Sequence, residues 1–439
     1  MRKNKNYFRH TLNKINNKSA IISIIGMGYV GLPLSINFIN NKFNVIGIDN
    51  DDEKIRKLRN QKSYISSIPN KTIAKLNYTK LESDYVFIKD SDVVIFCLPT
   101  PINSKKLPDL RILKKATKTA SKFFKKGQLV ILESTTYPGC TEELFLPLFQ
   151  KLNFVIDKNI FLAYSPERED PGNKEFNLKN TTKVVSGIGQ NSLNLVSELY
   201  KKSKVKIHKT SNIKTAEMTK LLENTYRNIN IGFINEIKKI CRSLNINVNN
   251  VINSAKTKPF GFTAFYPGPG IGGHCIPVDP HYLLWKLKKI GINSTLLRIS
   301  SQINDTMPNY IYKESLKIIK KKFHKIKDIN ILFVGLSYKK NIDDLRESPS
   351  LDLIKIFKKN KFRNLFFYDP FYLKIPLTRK VDLQSIRFVE FKKNRLTNFD
   401  VIFLLTDHDI LNYNLFYKLK SLIFDTRNKL ENKNNIYQL

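Results

Sequence analysis

Apolar residues in this chain come in short runs, each closed by glycine, proline or a small polar residue, and these runs alternate with longer stretches of helical period. Residues 21–25 read as an apolar strand; Gly26-Met27-Gly28-Tyr29-Val30-Gly31 follow, then a helical stretch, then a second strand that ends on Asp49. The same strand-then-turn pattern returns in SDVVIFCLPTP, GQLVILESTTYPG and IFLAYSPERED. An open parallel sheet gathers its ligands at the carboxyl ends of its strands, so Thr100, Ser134, Thr135 and Glu167 are candidate site residues.

From Lys214 to about Leu244 the period becomes helical: Leu221, Thr225, Ile229, Phe233 and Ile237 recur at helical spacing beside a polar stripe of Glu217, Lys220, Asn224 and Asn228. A second helical region spans roughly 295–323, and then the chain starts again. INILFVGLSYKKNIDDLRESPSLDLIKIF repeats strand, glycine turn and helix, NLFFYDP ends on Asp369, and NFDVIFLLTDHD echoes SDVVIFCLPTP. The pattern predicts an α/β protein: two Rossmann-like doubly wound parallel-sheet domains joined by a long central helix and a helical middle domain. The expected boundaries are a disordered tail over 1–18, a first sheet domain over 19–210, a helical domain over 211–323 that carries the cysteine turn, and a second sheet domain over 324–439.

The glycine turn gives the first domain its chemistry. Glycines permit the tight turn and the close approach of a pyrophosphate to a helix N-terminus, which binds anions. Asp49, at the end of the second strand, would accept hydrogen bonds from both ribose hydroxyls and repel a 2′-phosphate, which selects NAD over NADP. The expected cofactor contacts are Gly26, Gly28, Tyr29, Val30, Gly31, Asp49, Thr100 and Thr135. The second domain has Gly335 but no such glycine pattern, so a second dinucleotide is not expected; Lys339, Lys340, Arg346 and Arg427 at its strand ends would suit a nucleotide diphosphate.

Composition changes this picture little. The 439 residues carry 75 Lys plus Arg against 37 Asp plus Glu, a formal charge of +38 that raises nucleic acid or an anionic membrane as partners. The lysines are spread along the whole chain with Asn and Ile, and no nucleic-acid-binding signature accompanies them, so a compositional bias accounts for the charge. Neither nucleic acid nor membrane is an expected partner, although the field would draw anionic small substrates. A basic binding protein that kept the fold and lost catalysis is the rival reading. The four cysteines form no CxxC pair and no metal-ligand spacing, and the chain has no apolar leader and no run of the ~20 apolar residues that span a bilayer. A cytoplasmic, metal-free protein is expected.

One cysteine stands in an unusual setting. GPGIGGHCIPVDP, residues 268–280, places Cys275 in a stiff turn after the long helix, between two nucleotide-binding domains. A thiol beside NAD suggests a particular chemistry: it adds to an aldehyde, the adduct gives up a hydride, and water releases an acid from the thioester.

Taken with Ser165-Pro166-Glu167, Lys220 and Asn224 on one helix face, Gly272-Gly273-His274-Cys275 with Asp279, and Gly335 through Pro349, the sequence resembles the UDP-glucose/GDP-mannose dehydrogenase family over nearly all of residues 19–439. The resemblance implies a four-electron oxidation of a sugar C6 alcohol to a carboxylate with two NAD per turnover. It makes Cys275 the nucleophile, Asp279 a residue that assists proton transfer or positions water, Lys220 and Asn224 the oxyanion donors, and Glu167 the base that activates water, with Thr135 helping to hold that water. It also implies a UDP-sugar substrate held by Glu167, Arg168, Lys220, Asn224, Gly272, Gly273, Lys339 and Arg427, and a homodimer or larger oligomer built on the long helix. Arg168, Glu169, Asp170 and Pro171 after the glutamate, and Val278 before Asp279, depart from the UDP-glucose branch. They are similar to the UDP-N-acetylhexosamine branch, and within it to the N-acetylglucosamine enzymes that serve surface-polysaccharide synthesis; the N-acetylmannosamine and N-acetylgalactosamine enzymes are close rivals.

Overall fold

The computed structural model describes residues 6–65, 67–168, 180–376, 383–431 and 433–439, so Glu169, Asp170 and Pro171 lie outside the described residues. The chain divides into two compact units, one of residues 1–223 with 281–292 and one of residues 224–280 with 293–439. The segment 211–323, expected as a domain of its own, is shared between them: the helices Ile213–Ser243 and Asp279–Lys289 each begin in the first or second unit and end in the other.

In the first unit the apolar runs become β1 (Ile21–Ile25), β2 (Asn44–Ile48), β3 (Lys80–Glu82), β4 (Val93–Phe96), β5 (Leu129–Leu132), β6 (Phe161–Tyr164), β7 (Lys183–Gly187) and β8 (Ile207–Lys209). They form one sheet in the order β3-β2-β1-β4-β5-β6-β7-β8, parallel except between β6 and β7. Ile22, Ile24, Val93, Ile95, Leu129 and Ile131 are fully buried, as strands covered on both faces require. The chain order reverses between β1 and β4, and the crevice of a doubly wound sheet opens at that switch point.

The expected disordered tail is corrected. Tyr7–Asn16 is a helix capped by the Asn6 side chain, with Ile15 fully buried. The Thr11 hydroxyl donates to the Gly127 carbonyl at 2.6 Å, and Lys14 pairs with Asp92 at 2.7 Å. Phe8, Leu12 and Ile15 lie on one helical face against the core. Their apolar period is diluted by Lys and Asn on the other face, which made the segment read as tail.

The second unit carries β9 (Asn330–Val334), β10 (Asn364–Tyr368), β11 (Arg387–Phe388), β12 (Val401–Leu404), β13 (Leu422–Asp425) and β14 (Ile436–Gln438) in the order β11-β10-β9-β12-β13-β14. That is the order of the first six strands of the other sheet, so the repeat read in the sequence is a repeat of structure. Even the turn hydrogen bonds match: Gly26 N–H donates to the Ile48 carbonyl and Gly335 N–H to the Tyr368 carbonyl, both at 2.8 Å. Asp49 accepts from Met27 N–H at 2.8 Å, as Asp369 does from Leu336 N–H at 2.7 Å. The two turns differ in what fills the space beyond them. A Cβ on Gly335 would lie 2.5 Å from the Thr406 Cβ, and the fully buried His408 ring sits with Nε2 3.3 Å from Asp369. The His408 Nδ1 accepts from Asn341 N–H at 3.0 Å, which puts the ring proton on Nε2, toward the carboxylate. That bond holds the Asp369 carboxyl below its usual range although burial pushes it up. The following helix, Pro349–Lys359, starts only after its own Ser348 cap. Among the described residues no helix is long and apolar enough to cross a membrane, and no cluster of three metal-ligating side chains occurs.

Candidate active site

The first unit presents a glycine turn built for close approach. Gly26 has φ +94°, and a Cβ there would stand 2.5 Å from the Cys97 carbonyl oxygen; a Cβ on Gly31 would stand 1.9 Å from the Gly26 oxygen. Both glycines are needed by the protein's own backbone. At Gly28, by contrast, a Cβ would meet nothing within 4 Å, so the space in front of it is open to a ligand. The helix Gly31–Asn40 begins there with no side-chain cap, leaving its first N–H groups for an anion. Tyr29 is partly exposed beside it. This cradle fits a dinucleotide pyrophosphate.

Asp49 is buried at the end of β2, where it accepts from Met27 N–H at 2.8 Å and Asp51 N–H at 3.0 Å. Lys54 stands 3.4 Å from it. Sequence reasoning passed over Lys54; its place one helical turn into the segment after Asp49 was the available signal. Further along the edge, the Thr100 hydroxyl donates to the Thr135 carbonyl at 2.7 Å, and the Ser134 hydroxyl accepts from Leu98 N–H at 2.9 Å. These bonds tie the ends of β4 and β5 together, so Thr100, Ser134 and Thr135 act as one rim.

Behind that rim lies a buried group. Glu133 pairs with Lys183 at 2.9 Å and accepts from the Tyr200 hydroxyl, with all three side chains buried. Burial raises the Glu133 carboxyl despite the ammonium, and burial with the Glu133 charge pushes the Cys97 thiol well up. Cys140 is likewise pushed up to about 12, chiefly by burial. Cys97, Cys140 and Cys241 are thus buried structural thiols, while Cys275 is half-buried.

Glu167 and Arg168 follow β6 and are half-buried. The Arg168 guanidinium bonds to Glu223 at 2.6 Å and donates to the Thr182 carbonyl. Lys220, buried on the long helix, belongs to the same unit. Three positions before it, the fully buried Glu217 accepts from Thr141 N–H at 2.9 Å, from the Thr141 hydroxyl at 2.6 Å and from Gly139 N–H. Burial pushes its carboxyl up to about 7 against the pull of those bonds.

The second unit holds the thiol. The Cys275 carbonyl accepts from Val278 N–H at 3.0 Å and Asp279 N–H at 2.9 Å, so the turn opens directly into the helix Asp279–Lys289. The buried Asp279 carboxylate accepts from the Asn224 amide at 2.6 Å, and Asn228 donates to the Ile276 carbonyl at 3.3 Å. Two helix positions four apart therefore grip the cysteine turn. Its other side rests on the second sheet: Gly273 N–H donates to the Arg346 carbonyl at 2.8 Å, and a Cβ on Gly272 would lie 2.4 Å from the Tyr338 Cβ. Gly273 has φ +86°, with the Tyr338 ring filling the place of its side chain.

The basic residues expected to hold a diphosphate divide. Lys340 pairs with Asp409 at 2.9 Å and Arg346 with Asp344 at 2.6 Å, so both are engaged within the unit. Arg427 donates from Nε to the Leu405 carbonyl at 2.7 Å, and its Nη1 lies 3.2 Å from where a Cβ on Gly268 would be, at the head of the cysteine turn. Lys339 stands in the turn after β9. Cys275, Asp279, Asn224, Gly272, Gly273, Lys339 and Arg427 thus share one unit; Gly26, Gly28, Tyr29, Val30, Gly31, Asp49, Thr100, Thr135, Glu167, Arg168 and Lys220 share the other.

Two sheets that share one order over their first six strands, the first with an open glycine cradle and the second with that space filled and a cysteine turn fastened to it, define a dinucleotide-dependent dehydrogenase. Residues 20–204 match the NAD-binding domain of the UDP-glucose/GDP-mannose dehydrogenase family, residues 214–306 its central domain and residues 332–432 its UDP-binding domain. The chain belongs to that family and is an NAD-dependent nucleotide-sugar dehydrogenase. It is similar to the UDP-N-acetyl-D-glucosamine 6-dehydrogenase of Salmonella typhi, with 33% identity over 88% of this chain and 89% of that one. The UDP-N-acetyl-D-mannosamine dehydrogenase of Methanococcus maripaludis is 32% identical over 93% of each chain. The solved UDP-D-ManNAc dehydrogenase of Pyrococcus horikoshii aligns with a TM-score of 0.82 at 30% identity, covering 94% of this chain and 96% of that one.

Proposed function

We propose that the protein oxidises the C6 hydroxyl of UDP-N-acetylglucosamine to the carboxylate through a covalent adduct on Cys275, with two NAD reduced per sugar. The observation that carries this reading is the cysteine turn, in which Asn224 and Asp279 are fixed to one another 2.6 Å apart beside a half-buried thiol. The similarity to the Salmonella enzyme supports the N-acetylglucosamine substrate, and that to the archaeal enzymes keeps the 2-epimer, UDP-N-acetylmannosamine, as the second reading.

Bound NAD would supply the hydride acceptor for each of the two oxidations. The backbone N–H groups from Gly28 to Gly31 would hold its pyrophosphate, Asp49 its adenosine ribose, and Tyr29, Val30, Thr100 and Thr135 would line the crevice. Lys220 and Asn224 would donate to the sugar oxygen as it gains negative charge, where one lost donor costs about 3 kcal/mol of barrier. Cys275 would add to the C6 aldehyde, its proton leaving through Asp279 and solvent, and loss of the second hydride would turn the adduct into a thioester. Glu167, with Thr135 orienting the water, would take the proton of the water that frees the acid and the thiol. Arg427 and Lys339, with the Gly272-Gly273 backbone, would receive the UDP moiety.

The test is NADH formation by the purified protein with UDP-N-acetylglucosamine, UDP-N-acetylmannosamine, UDP-N-acetylgalactosamine, UDP-glucose and GDP-mannose. Two NADH per molecule of UDP-N-acetylglucosamine is the expected result. Two with UDP-N-acetylmannosamine alone would move the assignment to that sugar, and one per sugar would remove the thioester. The cofactor reading has its own test. Asp49→Ala should lower the preference for NAD over NADP by about tenfold or more, since one ribose hydrogen bond with charge is worth about 1.5–3 kcal/mol; an unchanged ratio of kcat/KM values would assign ribose recognition to another group.

We further propose a homodimer. Met218, Leu222, Tyr226, Phe233 and Ile240 are exposed at helical spacing along Ile213–Ser243, an apolar stripe along one helix. Light scattering should give twice the 51.0 kDa of the chain, and Phe233→Glu should halve it. A monomeric wild type would leave the stripe without this role.

A further inference from the structure

Two carboxylates on the long helix are not used by the chemistry above, yet each is fully committed. Glu217 lies three positions before Lys220 and Glu223 three after it, so both stand within about one turn of that lysine. Each reaches away from its helix to a different loop of the sheet.

Glu217 reaches the turn between β5 and the helix Cys140–Lys151. That helix has Gly139 at its cap, with φ +96° and no side chain to satisfy its first N–H groups. The Glu217 carboxylate takes the place of the missing cap, accepting from Gly139 N–H, Thr141 N–H and the Thr141 hydroxyl, with the Thr136 hydroxyl at 3.4 Å. Thr136 is the neighbour of Thr135. All the partners are donors, so the ionised carboxylate satisfies every one of them.

Glu223 reaches the end of β6. It meets Arg168 at two points, Nη2 to Oε1 at 2.6 Å and Nε to Oε2 at 3.3 Å, a fork-on-fork pair that fixes direction as well as distance. The third guanidinium nitrogen, Nη1, is bound to the Thr182 carbonyl just ahead of β7. Arg168, expected to touch substrate, is therefore a strut between the helix and the strand end that carries Glu167.

We propose that Glu217 and Glu223 are positioning residues, a pair of clamps that fix Thr135 and Glu167 relative to Lys220. The inference rests on the functional reading above. All the residues concerned belong to one compact unit, so the clamps act inside a single body. Their consequence is selective: the turns they hold carry the two side chains assigned to the water that opens the thioester, whereas the thiol itself belongs to the other unit. Loosening a clamp displaces the water-activating pair and leaves the cysteine turn intact.

The experiment is rapid-quench kinetics of the full chain with NAD and the nucleotide sugar it oxidises, comparing wild type with Glu217→Gln, Glu223→Gln and Arg168→Lys. The expected result is a fall of about tenfold to a hundredfold in acid release, the scale of a small misplacement of catalytic groups. The loss in acid release should exceed any loss in the first hydride transfer by at least about tenfold, and intact-mass measurement should find acyl enzyme accumulating on the variants. Equal losses in both half-reactions, or a lower melting temperature with an unchanged ratio between them, would overturn the clamps and leave a purely structural role. If Glu217→Gln does not fold, the Glu223 and Arg168 variants carry the test, because those side chains are 33% and 27% exposed. A wild type that forms no NADH with any nucleotide sugar would overturn the functional reading and this proposal together; a working wild type with unchanged variants would overturn the clamps alone.

Discussion

Cys275→Ser should bind NAD and the nucleotide sugar with wild-type affinity and release acid at least about a thousandfold more slowly, because the hydroxyl supplies almost no anionic nucleophile at neutral pH. The turn that holds residue 275 is fastened through its backbone: the carbonyl of 275 accepts from the start of the following helix, and Gly273 N–H is bound to the Arg346 carbonyl. Folding should therefore be unchanged, and melting temperature serves as the control. The other three cysteines are buried, with the thiols of Cys97 and Cys140 pushed up, so none can take over the reaction. Quantifying NADH and uronic acid separately checks the prediction. Wild-type acid formation by the serine variant would remove Cys275 from the mechanism.

The second large effect is expected at Gly31. A Cβ there would stand 1.9 Å from the Gly26 carbonyl oxygen and 3.1 Å from the Ile24 side chain, so Gly31→Ala forces the helix off the strand. Such overpacking costs about 1–3 kcal/mol and moves the very N–H groups that face the pyrophosphate. NAD binding should weaken by a hundredfold or more, roughly 2.7 kcal/mol or above, with a lower melting temperature. Gly28→Ala is the informative contrast. Its new methyl meets no protein atom, so the melting temperature should hold while NAD affinity falls, since the methyl occupies the space left for the cofactor. Calorimetric titration with NAD, beside thermal melts, measures both. Equal NAD affinity in wild type and Gly28→Ala would mean that the pyrophosphate does not pass in front of this glycine.

The paired sheets show how one strand order can serve two ends. Asp49 and Asp369 hold their turns with equivalent hydrogen bonds, so the aspartate alone does not mark a dinucleotide site. What differs is the surroundings: an uncapped helix start and open space at Gly28, against Thr406, His408 and a serine-capped helix at Gly335.

Much of this was legible in the linear chain, for a physical reason. Buried parallel strands must be short apolar runs, a close-approach turn must be glycine, and residues four apart on a helix must share a face. Those rules are local, so the sheet repeat, the nucleotide turn, and Lys220 with Asn224 could be read directly. The short helix Tyr7–Asn16 escaped because its stability comes from Ile15, Phe8 and Leu12 packing on a core formed by distant residues. Asn224 bonds to Asp279 across 55 positions, Arg168 to Glu223 across 55 and Glu217 to Thr141 across 76. No local rule links such pairs. The sequence by itself determined which chemical groups are present and which local backbone carries them; only the tertiary structure decided that Arg168 and Glu217 are spent on holding turns, because a side chain's role depends on what the fold brings within hydrogen-bond reach.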